Sequence, residues 1–96
     1  MKIAIFPGSF DPFTIGHYDI VNRGLQIFDQ IIIGIGHNSN KVSTFSIDDR
    51  LKAIQKVFVN EPRVKVEIYD GLTIDFAVKH QATSIVRGVR SVQDFE

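Results

Sequence analysis

Short apolar segments alternate along this chain with segments of helical periodicity. Residues Lys2–Phe6 and Ile31–Gly36 form apolar runs without polar alternation, which is typical of strands covered on both faces. Pro7 and Gly8 are expected to stop the first strand. Because continuous apolar strands separated by helices are characteristic of parallel sheets, the sequence predicts an α/β fold of the doubly wound parallel type.

The remaining segments continue this alternation in the order βαβαβαβ. A first helix is predicted from Gly16, with an apolar face of Ile20, Val21, Gly24, Leu25 and Phe28. Ser46 to Asp49 has the form of a capping box and predicts a second helix, with Ile47, Leu51, Ile54 and Phe58 inward. An edge strand is predicted next, with Val64, Val66 and Ile68 inward. A helix over Leu72–Lys79 follows, with Leu72, Phe76 and Ala77 inward, and a fourth strand is predicted over Ser84–Val86. A last helix is expected to begin near Ser91.

Length and composition fit one domain over residues 1–96, without repeats or an interdomain linker. Apolar residues make up 44% of the chain, while 11 basic and 11 acidic residues cancel. This balance argues against a nucleic-acid or membrane partner held by bulk charge, so any anion must be recognised locally. The absence of cysteine excludes disulfides and thiolate metal sites. With no apparent signal peptide and no apolar stretch near the roughly 20 residues that span a bilayer, a cytoplasmic location is expected.

The most informative motif lies between the first strand and the first helix, over Gly8–His17. A glycine turn with the hydroxyl of Ser9 is followed by Gly16 and His17 at a predicted helix start. Unpaired N–H groups and the helix dipole favour an anion there, so a nucleotide phosphate is expected beside the imidazole. Separately, each residue also fits a cap, turn or packing role. Their combination in this order favours the phosphate site.

Other polar side chains follow the ends of the predicted strands. Lys41 follows the second strand, Thr73 the third, and Arg87 and Arg90 the fourth. The carboxyl ends of parallel strands meet at one edge, where ligands bind near a topological switch point. Ammonium, hydroxyl and guanidinium groups suit phosphate oxygens. The alternatives are a solvated Lys41, a Thr73 that only begins a helix, and arginines paired with Asp94 or Glu96 on the surface.

Two further histidines, His37 and His80, are predicted to be surface residues, because they lack the paired spacing of metal ligands.

Two motifs carry a family resemblance. Thr14–His17 resembles the (H/T)-x-G-H signature of the nucleotidyltransferase superfamily, and the preceding Pro7–Pro12 narrows the match. Arg87–Glu96 is similar to an R-G-x-R segment leading into D-[FY]-E. Together the motifs resemble those of the bacterial phosphopantetheine adenylyltransferases, and the resemblance extends over all 96 residues. It implies a Rossmann-like nucleotidyltransferase fold.

The resemblance also implies a reaction and a set of roles. The family transfers AMP from ATP to 4'-phosphopantetheine, giving dephospho-coenzyme A and pyrophosphate, with Mg²⁺ on the triphosphate and a homohexameric assembly. By the match, His17 stabilises the transition state. The acceptor is held by Ser9, Lys41, Thr73 and Arg87. ATP is held by Ser9, Phe10, His17, Gly88, Val89 and Arg90.

The family's chains continue beyond the position of Glu96, through a second phosphate-binding segment. The sequence is therefore expected to be a domain truncated after the fourth strand, whose C-terminal part is missing and which is inactive alone. Two alternatives to the adenylyltransferase stay open. One is a related transferase acting on nicotinamide mononucleotide or making a CDP-alcohol, and the other is a nucleotide-binding fragment without turnover.

Overall fold

The computed structural model describes residues 1–37 and 43–87. Within these ranges the chain forms β1 (Ile3–Gly8), α1 (Ile15–Gly24), β2 (Gln30–Gly36), α2 (Ile47–Val57), β3 (Val64–Tyr69), α3 (Thr73–Lys79) and β4 (Ser84–Ile85). All strand pairs are parallel, and the order in the sheet is β3-β2-β1-β4. The predicted α/β class, the parallel sheet and the edge position of β3 are confirmed. The helix expected near Ser91 lies outside the described residues.

The strand order creates a switch point between β1 and β4. From β1 the chain proceeds outward to β2 and β3, and it then returns to pair β4 on the other side of β1. In open parallel sheets, such a reversal of strand order marks the place at the carboxyl edge where a ligand crevice forms. In the part of the chain that the structure describes, no helix has the length and apolarity needed to span a membrane.

The two faces of the sheet have separate cores. On one face, α1 and α2 cover the sheet through a cluster that consists of Ala4, Phe6, Phe10, Val21, Ile31, Ile33, Ile35, Ile54, Phe58 and Val64. On the other face, α3 packs through a cluster of Ile5, Ile32, Phe76 and Ala77. Gly34 permits the close approach of α3, because a Cβ there would lie 2.5 Å from the Phe76 ring. Since both faces are covered, the continuous apolar runs of β1 and β2 are explained.

The first strand is longer than predicted, because Pro7 and Gly8 belong to it and pair with Gly34 and Ile35. The carbonyl oxygens of Ile3 and Ile5 accept hydrogen bonds on the β4 side, from Thr83 N at 2.7 Å and Val86 N at 2.8 Å. Pro7 has the same parity along the strand, so its missing N–H also faces that side. Pairing of β4 with β1 covers only Ala4 and Ile5. Proline is therefore tolerated without loss of a bond to β2.

Two predictions about burial, one of an inward residue and one of a surface residue, differ from the structure. Leu72 is 65% exposed, because it is the N-cap of α3 with an extended backbone and precedes the helical face. His80 is not a surface residue. Its side chain is only 16% exposed, lies edge-on against the Phe76 ring at 4.8 Å, and places Nε2 3.1 Å from Glu67 Oε1.

The predicted start of α2 is confirmed by the Ser46 hydroxyl, which accepts a hydrogen bond from Asp49 N at 3.1 Å. The helix predicted from Gly16 begins at Ile15 and ends at Gly24, so its apolar face is shorter than expected. Leu25 and Phe28 lie beyond its end but still pack against the core.

Candidate functional site

An open cleft of about 1080 Å³ lies at the carboxyl edge of the sheet, beside the switch point. Its walls come from the end of β1 and the turn after it, from the length of α1 and the residues that follow it, and from the chain just after β4. The residues that the following argument uses are Gly8, Ser9, Phe10, Gly16, His17 and Arg87. Polar groups from separate parts of the chain thus converge where open parallel sheets bind ligands.

The turn after β1 is held in an unusual conformation. Phe10 has a φ of 50°, in the left-handed region that non-glycine residues seldom adopt. Its ring is 3% exposed and lies edge-on to the rings of Phe6 at 5.1 Å and His17 at 5.0 Å. A Cβ at Gly8 would come within 3.0 Å of the Phe10 ring, so glycine permits this packing. Because the ring is buried, Phe10 offers the cleft chiefly its backbone.

His17 is the third residue of α1 and takes part in a two-way capping box. The Thr14 hydroxyl accepts from His17 N at 3.4 Å, while Thr14 N donates to His17 Nδ1 at 2.9 Å. A backbone N–H can only donate, so Nδ1 must accept, and the proton of the neutral imidazole therefore resides on Nε2. The cap thus fixes both the ring and its tautomer, and gives the side of the ring away from Thr14 a hydrogen-bond donor.

The electrostatics around His17 favour an anion. The first turn of α1 carries no acidic residue, so the positive end of the helix dipole is not neutralised by its own side chains. The Asp11 carboxylate is directed to the chain before α2, where it accepts from Thr44 N at 2.6 Å and Phe45 N at 2.8 Å. Asp19 is paired with Arg23 at 3.0 Å.

Among the described carboxyl groups, Glu61 has its pKa lowered to about 2 by hydrogen bonds from Arg63. This pair lies before β3 and away from the cleft.

Arg50 of α2 also supports this turn. Its guanidinium Nη1 donates to the Ser9 carbonyl oxygen at 2.7 Å, and the residue is 8% exposed. Sequence reasoning missed Arg50, although a signal was present. Position 50 lies on the inward face defined by Ile47, Leu51 and Ile54, where a charged residue indicates a buried interaction.

The structure brings together Ser9, Phe10, His17 and Arg87, and it places Thr73 elsewhere along the edge. Thr73 begins α3, and its hydroxyl lies 2.9 Å from the Tyr69 hydroxyl. Nearby, His37 Nδ1 lies 2.8 Å from Asp70 Oδ1, which links the ends of β2 and β3. The predicted ligands Lys41, Gly88, Val89 and Arg90 lie outside the described residues. The roles of all these residues stay predictions.

The described side chains do not form a metal site of their own. Within residues 1–37 and 43–87, no group of three or more histidine, cysteine, aspartate or glutamate side chains is placed to hold a metal ion. Asp11 and Asp19, the carboxylates along this cleft, are already engaged by backbone amides and by Arg23.

Comparison with known proteins agrees with this architecture. The cytidylyltransferase-like family model matches residues 5–96, and the chain belongs to that family. Over all 96 residues it is 57% identical to the phosphopantetheine adenylyltransferase of Bacteroides fragilis and 56% identical to that of Phocaeicola vulgatus. The resemblance inferred from the two motifs is thereby confirmed. The chain spans 64% of the length of each of these relatives.

A solved structure supports the fold independently. The NadR protein in complex with NAD and AMP-PNP superposes with a TM-score of 0.70 over 96% of this chain and 32% of that protein. Sequence identity is 15%, so this similarity concerns the fold alone. The Rossmann-like nucleotidyltransferase fold predicted from the sequence is confirmed.

Proposed function

We propose that the protein is an adenylyltransferase that transfers AMP from ATP to 4'-phosphopantetheine, producing dephospho-coenzyme A and pyrophosphate in coenzyme A biosynthesis. The observation that carries the proposal is His17, held by Thr14 at the N-terminus of α1 with its proton on Nε2, in a first turn without acidic residues. The names of the relatives support the choice of acceptor.

The reaction requires alignment rather than a covalent intermediate. An oxygen of the acceptor phosphate attacks the α-phosphorus of ATP and forms a new P–O bond. The bond from that phosphorus to the oxygen bridging the β-phosphate breaks, and pyrophosphate leaves with the electron pair. Negative charge develops on the α-phosphate oxygens as this occurs, and a fixed donor aimed at them lowers the barrier. His17 Nε2–H and the first N–H groups of α1 supply such donors.

The other predicted residues divide between the two substrates. Ser9, the backbone of Phe10, and Gly88, Val89 and Arg90 would hold ATP, with Mg²⁺ entering on the triphosphate. Ser9, Lys41, Thr73 and Arg87 would hold the acceptor. Thr73 would have to exchange its bond to the Tyr69 hydroxyl for one to the ligand. Arg87 is exposed in the cleft and suits a phosphate.

The proposal extends to a cytoplasmic homohexamer with no nucleic-acid or membrane partner. Its support is the family resemblance together with the balanced charge of 11 basic and 11 acidic residues.

The deciding experiment assays the full-length gene product with ATP and Mg²⁺ against a panel of acceptors. Pyrophosphate release and the mass of the product would be followed with 4'-phosphopantetheine and nicotinamide mononucleotide, and with CTP plus a phosphorylated alcohol. Among these acceptors, we expect rapid turnover only with 4'-phosphopantetheine, and a product with the mass of dephospho-coenzyme A. Preference for either other pair would assign the related transferase, and binding of ATP without any turnover would leave only a nucleotide-binding protein.

A further inference from the structure

A buried cation of α2 contacts the proposed ATP site from behind. Arg50 is 8% exposed, and its Nη1 donates to the Ser9 carbonyl at 2.7 Å, while Nε lies 3.4 Å from the Ser46 carbonyl. Removing a guanidinium from water is costly unless its donors are satisfied. The shorter of these two hydrogen bonds goes to a residue 41 positions away, in the turn that follows β1.

This bond fixes the direction of one peptide unit. In a trans peptide the C=O and the N–H point to opposite sides. With the Ser9 carbonyl directed at Arg50, the N–H of Phe10 is directed away from α2, and both Ser9 and Phe10 line the cleft. Phe10 holds a φ of 50°, a conformation that persists only where its surroundings impose it. Arg50 is one of the groups that impose it.

A second contact ties the same turn to the segment just before this helix. Asp11 accepts hydrogen bonds from Thr44 N and Phe45 N, just before the Ser46 cap of α2. The turn is therefore attached on its α2 side both by Asp11 and by Arg50, and against β1 by the packing of the Phe10 ring on Gly8. Of these attachments, the Arg50 bond is made directly to the peptide that joins Ser9 and Phe10.

We propose that Arg50 is a positioning residue for ATP, which orients the Ser9–Phe10 peptide so that the Phe10 amide and the Ser9 hydroxyl face the nucleotide phosphates. Arg50 acts through the turn and does not touch the substrate. This role rests on the proposed function, because it assigns ATP to the cleft beside His17. A purely architectural tie would affect only the stability of the protein.

The test compares Arg50→Lys with Arg63→Lys in the full-length protein. Arg63 is a matched control, since its guanidinium lies 3.5 Å from the Leu25 carbonyl and it also pairs with Glu61, outside this cleft. Lysine keeps the charge but lacks the planar fork and reach of arginine. Arg50→Met provides a second variant, because it keeps an apolar stem and leaves no unpaired buried charge.

We expect the Kd for ATP, measured by calorimetry well below the Tm, to rise about tenfold in both Arg50 variants. The Kd for 4'-phosphopantetheine should rise less than the Kd for ATP, because Ser9 is one of four residues assigned to the acceptor. Both constants should stay within about twofold in Arg63→Lys. Amide hydrogen exchange at Phe10 and Asp11 should accelerate in the Arg50 variants alone. Folded variants with unchanged ATP affinity would overturn the role of Arg50 while leaving the proposed function intact. A wild-type protein that binds no ATP would overturn both.

Discussion

The N-termini of α1 and α2 begin alike and differ in charge. Each has a hydroxyl N-cap, Thr14 or Ser46, that accepts from the backbone N–H three residues later. At the second and third helical positions, α2 carries Asp48 and Asp49. At the same positions α1 carries Gly16 and His17.

In the proposed function, this difference separates a stabilised helix start from an anion site. The two aspartates offset the dipole of α2 with the helix's own side chains. In α1 the same positions hold a residue without a side chain and a hydrogen-bond donor, and in the proposed function the negative charge comes from the ATP phosphates. The capping bond that stabilises α1 also orients His17. We therefore propose that comparable caps serve stability in α2 and both stability and phosphate binding in α1.

The largest expected effect comes from replacing the third residue of α1, and the third residue of α2 provides the control. His17→Ala in the full-length protein should lower kcat by about 10²-fold or more and change the Kd for ATP much less, because the donor acts on charge that develops in the transition state. Asp49→Ala should leave kcat unchanged. Steady-state kinetics with calorimetric ATP binding measure both.

His17→Gln is the conservative variant, since its amide keeps an N–H donor, and it should recover part of the lost kcat. A loss confined to ATP affinity, with kcat intact in His17→Ala, would remove the assigned role.

A smaller effect is expected from giving α1 the charge of α2. Gly16→Asp should weaken ATP binding by about tenfold, because a carboxylate would occupy the region meant for phosphate, while the free energy of unfolding should rise through the helix dipole. Gly16→Ala is the control. Its Cβ would lie 3.6 Å from Thr14 Oγ1, an ordinary contact.

Calorimetry and thermal denaturation would be measured on both Gly16 variants. Equal losses of ATP affinity would show that the site needs close backbone approach at Gly16 rather than the absence of negative charge.

The two hydroxyl caps should contribute similarly to the free energy of unfolding, but only the cap of α1 should affect kcat. Thr14→Ala and Ser46→Ala should each lower the free energy of unfolding by about 1 kcal/mol, the usual cost of removing a hydroxyl N-cap. Thr14→Ala should also lower kcat several-fold, because the Thr14 hydroxyl lies 3.1 Å from His17 Nδ1. Denaturant titration and kinetics on both variants test this. Equal kcat values in the two would show that the Thr14 hydroxyl is not needed to orient the imidazole, since the bond from Thr14 N to His17 Nδ1 remains in Thr14→Ala.

The smallest effect should come from removing a compensating charge. Asp48→Asn should lower the free energy of unfolding by about 0.5 kcal/mol at low salt, and the difference should shrink near 1 M salt through screening. ATP affinity should not change. Denaturation at two salt concentrations measures it, and a difference that persists in high salt would have another cause than the dipole.

The predicted elements were those encoded by local patterns. Apolar runs located β1 and β2, helical spacing located α1 and α2, and Ser46 marked a cap, because these signals depend on neighbours within about four residues. The strand ends and the Gly8–His17 motif likewise placed Ser9 and His17 at one edge. The prediction that Pro7 ends the first strand was wrong. A proline fits within β1 because β4 pairs only with Ala4 and Ile5, and this depends on how far β4 extends beside β1.

The sequence by itself determined the α/β alternation, the parallel sheet and the position of the phosphate-type motif, since each follows from local periodicity and chain order. Only the tertiary structure decided which distant groups meet: Arg50 with the Ser9 carbonyl, Asp11 with Thr44 and Phe45, and Thr73 with Tyr69 rather than with His17. The physical reason is that such hydrogen bonds depend on which elements become neighbours and which faces they bury, and these follow from the packing of the whole sheet rather than from any short segment.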